Sequence, residues 1–242
     1  MTSRRPRFLV AEAALFAALL FSCAPPEPPP VPVSMPVFVV EASRASMGEL
    51  VELLPAELDA GLRVVADPFA AMAMSTEGDV RIAIVVDGSH AAESYVLEEA
   101  TGGYVVRGGA PLGVQYGIAH LFEAMGVRFY HPWHAVVPAA LAAPDPAVFG
   151  VAHTPEMSER GLHLHILHPI EAYFDFWRGE EDDFEGARRT LQWLILNRGN
   201  YVTWTALDDI VRNATRRAEW QAHTRRIVDL AHARGIRVGL GM

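Results

Sequence analysis

The sequence is poor in the residues that make covalent links and cationic surfaces. Among 242 residues there is one cysteine, Cys23, so no disulfide can form within the chain and stability has to come from a packed core even in an oxidising compartment. Lysine does not occur: all 20 basic residues are arginines, which we read as an effect of base composition rather than a demand for guanidinium chemistry. Beyond the first few residues there is no basic run, and the net charge is -9. A phosphate backbone needs clustered cations, so nucleic acid is excluded as a partner. Long apolar runs are missing too. The stretch Phe8 to Phe21 is interrupted by Glu12 and falls short of the roughly 20 residues that cross a bilayer.

What the N-terminus does contain is an export signature. Arg4, Arg5 and Arg7 form a positive region ahead of that apolar stretch. Leu20-Phe21-Ser22-Cys23 then resembles the processing box of bacterial lipoproteins, although Phe21 is bulkier than the small residue usual there. The resemblance implies lipidation of Cys23, with a plain secretory peptide as the alternative. Residues 1–23 are thus expected to be a signal peptide and 24–36 a spacer, since Pro25, Pro26, Pro28, Pro29, Pro30, Pro32 and Pro36 favour an extended polyproline conformation. The expected location is outside the cytoplasm. The protein would be lipid-anchored in the bacterial cell envelope, at the outer membrane or in the periplasm, with that anchor as its only membrane contact, or else secreted.

With 51% apolar residues the remainder can bury a substantial core. From Val37 the texture is α/β. Val37 to Val40, Leu62 to Val65 and Arg81 to Val86 read as strands, and Ser46 to Ala60 as a helix. Glu93 to Glu98 and Gly103 to Arg107 pair as a hairpin across Thr101-Gly102. Ala110 to Met125 reads as a largely buried helix, capped by Gly126, in which Gly113 and Gly117 lie four apart and permit close packing on a sheet. Residues 139–158, with Pro144, Pro146 and Pro155 and little periodicity, are expected to link this accessory domain (37–138) to a second one (159–242).

The second domain opens on Glu159 to Pro169, whose alternation puts Leu162, Leu164 and Ile166 on one face and Gly161, His163 and His165 on the other. An acidic and aromatic loop, Glu171 to Gly186, follows. Then come a helix (Glu185 to Leu196), a strand (Tyr201 to Leu207), a helix (Glu219 to Ala233) and a strand (Ile236 to Leu240). This order predicts a parallel sheet and the first three βα units of an incomplete TIM barrel, a fold whose sites lie at the C-terminal strand ends. Three of about eight strands lead us to expect the N-terminal part of a longer protein. Asp208 and Asp209 follow the second strand; neighbours there point in opposite directions, so they do not act as an acid and base pair on one bond, and one caps a helix or binds a hydroxyl. His163 and His165 form a His-x-His pair of the kind that holds metal in amidohydrolase-type barrels, and polar core residues are the other reading.

Several short stretches carry a wider resemblance: Glu93-Ser94-Tyr95, Gly103-Tyr104-Val105-Val106, Gly113-Val114-Gln115-Tyr116-Gly117 and Gly126-Val127-Arg128-Phe129-Tyr130-His131-Pro132. In order, they resemble the small α/β domain that precedes the barrel in family 20 β-hexosaminidases and α-glucuronidases. The resemblance implies an α/β fold: a small α+β, sandwich-like accessory domain without catalytic residues, then the barrel. Arg160-Gly161 stands where those families begin their first barrel strand with an arginine that holds substrate hydroxyls. A structural ion pair at the domain interface is the other reading of Arg160. The families' aspartate falls on His165 and a following arginine on His168. Their catalytic carboxylates come from a fourth strand, so none is assigned here. The resemblance thus implies a glycan or glycoside substrate and a sugar contact from Arg160; His165, at the position of the families' aspartate, and His168 and Asp208, at the strand ends, are further candidates for substrate contact, and no cofactor or metal is expected. The expected protein is the N-terminal part of an exported glycoside hydrolase, inactive by itself. Alternatives are a non-catalytic glycan-binding surface lipoprotein and a metal-dependent amidohydrolase-type barrel.

Overall fold

Short runs rich in valine and isoleucine, residues that favour strands, build the first sheet. In the computed structural model, which describes residues 38–42, 62–65, 80–138, 141–164, 174–205 and 208–241, these runs are Phe38–Ala42 (β1), Leu62–Val65 (β2) and Val80–Val86 (β3). β1 pairs in parallel with both β2 and β3. The expected hairpin is Tyr95–Ala100 (β4) and Gly103–Gly108 (β5), with Ala100 opposite Gly103. β5 continues the sheet parallel to β3. Cys23, the signal and spacer segments, the helix expected over 46–60, His165 and His168 lie outside the described residues.

Pro111–Ala124 (α1) starts on a proline whose missing N–H costs a first turn nothing. It is buried almost all round, from Leu112 to Ala119, because it is sandwiched between two layers. Its glycines have the expected use: a Cβ at Gly113 would sit 2.5 Å from the Ser94 carbonyl oxygen, and one at Gly117 would sit 2.5 Å from Val106 Cγ1. Gly126 ends the helix at φ +103°, in the left-handed region that glycine enters without strain. A small hairpin follows, Arg128–His131 (β6) with His134–Val136 (β7). Then Ala152–His153 (β8) returns to pair antiparallel with β4, giving the order β2-β1-β3-β5-β4-β8. So the stretch expected as a linker supplies an edge strand. Two residues are too few for a periodic signal; the pairing is fixed from afar, by Tyr95 stacking on His153 at 5.1 Å.

The second layer holds Gly161–His163 (β9), Glu181–Leu196 (α2), Tyr201–Thr205 (β10), Asp208–Arg212 (α3), Ala214–Ala233 (α4) and Arg237–Gly241 (β11). Its sheet is parallel in the order β11-β10-β9, as the alternation of strands and helices predicts. Two helix starts differ from expectation. α2 begins at Glu181 rather than Glu185, because Glu181, Asp182 and Asp183 are not loop acids: they favour the positive end of the helix, and Asp183 accepts from the Glu180 backbone N–H at 3.2 Å. α4 begins at Ala214 rather than Glu219, since Asn213 Oδ1 accepts from the N–H groups of Thr215 and Arg216.

Candidate functional site

In-register pairing sorts the β9-β10-β11 sheet into two faces. Leu162, Val202 and Val238 share one, followed by Leu164, Trp204 and Leu240. Val202, Trp204 and Leu164 are buried in the core, and Phe176 meets the Trp204 ring edge-on at 5.0 Å. The other face carries Gly161, Tyr201 and Arg237, then His163, Thr203 and Gly239, then Thr205 and Gly241, all at least partly exposed. It is a polar face made of hydroxyls, a guanidinium, an imidazole and bare backbone. At its C-terminal rim the Trp177 indole N–H donates to the Thr205 carbonyl, fixing the segment that leads into α2. His165 and His168 follow β9 directly in sequence, and Asp208 opens α3 just after β10. Among the described residues no group of three His, Cys, Asp or Glu side chains could hold a metal ion.

Arg160 belongs to the opposite, N-terminal end of the same sheet. Gly161, its partner in the sequence motif, needs to be glycine because a side chain there would fall on the Tyr201 carbonyl. The Arg160 guanidinium is engaged at every nitrogen. Nε donates to the Arg198 carbonyl at 2.6 Å, one Nη to the Met157 carbonyl, and the other to the Glu93 carboxylate and, at 3.1 Å, to the Tyr116 hydroxyl. Burial opposes its charge, but the bonds to Glu93 and Tyr116 prevail and hold its pKa above that of an ordinary arginine. Burial, reinforced by the Glu93 charge, pushes the Tyr116 phenol up, so it stays a neutral donor and bonds the Gly199 carbonyl at 2.9 Å.

Asn200, 1% exposed, closes the cluster. Its Oδ1 accepts from the Arg160 backbone N–H at 2.9 Å, and its Nδ2 donates to Glu93 at 2.9 Å and to the Ser158 carbonyl at 2.8 Å. The turn ahead of β10 is shaped to serve it: Arg198 takes φ 60°, and its side chain ion-pairs with Glu123 of α1. A second tie runs from Gln115 Nε2 to the Arg234 carbonyl at 3.0 Å, at the turn before β11. Thus α1 lies against the N-terminal ends of the three strands. Glu93, Tyr116 and Asn200 were not singled out as site residues from sequence. Their only signal there was that Glu93 and Tyr116 fall inside the resembling stretches.

A third cluster joins β4, α1 and β8. The Tyr95 hydroxyl lies 3.2 Å from His120 Nδ1, and the His120 and His153 rings meet edge-on at 4.6 Å. Burial, with His153 and Arg198 nearby, lowers the His120 pKa to about 4, so at neutral pH its imidazole is uncharged, and burial likewise raises the Tyr95 pKa.

No protein-family model and no curated protein sequence matches the chain. Solved structures do. The chain is similar to a GH20 exo-β-N-acetylglucosaminidase from Vibrio harveyi in complex with N-acetylglucosamine, with a TM-score of 0.50 and 13% identity over 85% of this chain and 32% of that one. It is also similar to a β-N-acetylhexosaminidase from Bacteroides fragilis (TM-score 0.48, 13% identity, 87% of this chain and 41% of that one). A third is a GH138 enzyme targeting pectin rhamnogalacturonan II (TM-score 0.48, 15% identity, 84% of this chain and 30% of that one). The chain spans between 30% and 41% of the length of these solved chains. At these identities the likeness is one of fold: the chain has a mixed α/β, glycoside-hydrolase-like fold.

Proposed function

We propose that the chain is the accessory layer and first βα wall of an exported carbohydrate-active protein of the glycoside-hydrolase kind, and that it binds a glycan or glycoside at the C-terminal ends of β9, β10 and β11. The fold likeness to the Vibrio harveyi enzyme, over 85% of this chain, is the observation that supports this reading. In it, β9 to β11 are the opening strands of a TIM barrel, and His165, His168 and Asp208 supply polar contacts to sugar hydroxyls. Arg160 is the residue that ties the two layers together; to touch sugar it would have to release one of the partners it holds. The chain is delivered by its N-terminal signal and held at the envelope through Cys23. The resembled families draw their acid and base from a fourth strand, so binding without turnover is expected of these residues.

Calorimetric titration of the purified chain with N-acetylglucosamine tests this, alongside a nitrophenyl N-acetylglucosaminide assay. The expected result is saturable binding, weakened about tenfold by His165→Ala or Asp208→Asn through loss of a charge-assisted or neutral hydrogen bond, with no nitrophenol released. Absence of binding would defeat the proposal. Nitrophenol above a blank would move catalysis into this chain.

A further inference from the structure

The β6–β7 hairpin exposes two large aromatics, Tyr130 at 71% and Trp133 at 40%. The hairpin is firmly mounted. Trp193 Nε1 and Asn197 Nδ2, on one face of α2, donate to the Phe129 carbonyl at 2.9 and 3.1 Å. Followed toward its N-terminus at helical spacing, that face continues through Arg189, Gly186 and Asp182. Here the hairpin stands off and leaves an open cleft of about 300 Å³, lined by Trp133, Asp175, Asp182, Glu185, Gly186 and Arg189.

The lining is ordered. Trp133 is steered by His131, whose Nδ1 accepts from the Trp133 backbone N–H at 3.3 Å and whose ring lies 5.5 Å from the indole. Glu185 is fixed by Arg188 at 2.7 Å and Arg189 at 2.9 Å; chiefly through the Arg188 hydrogen bonds its pKa is held down to about 2, so it is a permanent acceptor. Any side chain at Gly186 would collide with the Asp175 carboxylate, so bare helix backbone is what allows that carboxylate to reach the wall. A pyranose ring has an apolar C–H face and a rim of hydroxyls. An exposed indole bordered by planar carboxylates and a guanidinium complements both. With three carboxylates against one guanidinium, the lining repels uronates, sulfates and phosphates.

We propose that the cleft between the β6–β7 hairpin and the N-terminal half of α2 is a second carbohydrate-binding site, in which Trp133 stacks on a neutral pyranose and Asp182, Glu185 and Arg189 bond its hydroxyls. Its lining includes none of His165, His168 and Asp208, and the proposal does not depend on their role. Affinity electrophoresis and titration of the full chain with cellohexaose, chitohexaose and xylohexaose test it, with hexagalacturonate as the charged comparison. At least one neutral oligomer should bind and hexagalacturonate should not. Trp133→Ala should weaken binding about tenfold and Trp133→Phe by much less, as loss and partial retention of one stacked ring imply. Thermal midpoints should match the parent, because Trp133 is substantially exposed, and His165→Ala with His168→Ala should leave this affinity unchanged. The proposal is overturned if no neutral oligomer binds, if Trp133→Ala binds like the parent, if the histidine variants abolish binding, or if hexagalacturonate binds as well as the neutral sugars.

Discussion

Replacing Glu93 by alanine should loosen the two sheets from each other. Glu93 stands 32% exposed and Arg160 14% exposed, so their ion pair lies between a surface pair, worth under about 1 kcal/mol, and a buried one, whose rupture costs about 3–5 kcal/mol. A cost of about 2 kcal/mol is reasonable for the pair. Asn200 also loses its carboxylate acceptor, but keeps the Ser158 carbonyl, which adds about 1 kcal/mol. Because these bonds share one carboxylate the two costs overlap, and the expected loss is about 2–3 kcal/mol. For a chain of this size that lowers the thermal midpoint by about 5–10 °C. Glu93→Gln keeps an acceptor for Asn200 and loses only the charge, so it should cost about half as much. Circular dichroism melts and urea midpoints of Glu93→Ala, Arg160→Met and the double variant give the coupling energy directly. Destabilisation by Glu93→Ala below about 0.5 kcal/mol, or a coupling indistinguishable from zero, would refute the idea that this cluster joins the layers.

Two further perturbations address the first sheet. His120 has a folded pKa of about 4 against an ordinary 6.5, so between those values the unfolded chain binds the extra proton. Its contribution is therefore complete above pH 6.5 and is lost as pH falls toward about 4. The thermal midpoint should decline over that window, and His120→Gln should flatten the decline; an unchanged acid limb would remove His120 as its cause. Gly117→Ala gains about 1 kcal/mol of helix propensity but drives a methyl to 2.5 Å from Val106 Cγ1, a fully buried β-branched neighbour, so a net loss of about 1–2 kcal/mol is expected in urea melts, with Gly88→Ala as the neutral control.

What was readable in the sequence was whatever a local pattern can encode. The β4–β5 hairpin, the α1 helix with its Gly126 cap, and the parallel order of β9 to β11 all follow from alternation, helical spacing and turn residues. Helix starts were missed where acids or arginines masked the onset: the acidic first turn of α2 reads as a solvated loop until one notes that it sits on a positive helix end. β8 was invisible because two residues have no period. The cluster around Arg160 is long-range by nature. Glu93 and Asn200 are 107 positions apart, and nothing local to either states that the other will complete it. The sequence did supply Arg160 as a residue of consequence and an interface ion pair as one of its two readings; the set of partners required coordinates.

The burial of α1 on nearly all sides has a consequence for how the protein is made. As the chain leaves the ribosome, residues 80–138 emerge before the second layer and can pair β3, β4 and β5 beneath α1. Its far side, with Tyr116 and Gln115, is completed only by the turns at Gly199 and Arg234. Until those are synthesised the nascent chain presents a sticky helical face to its surroundings. The order of synthesis, and not only the final contacts, is therefore part of what this helix demands.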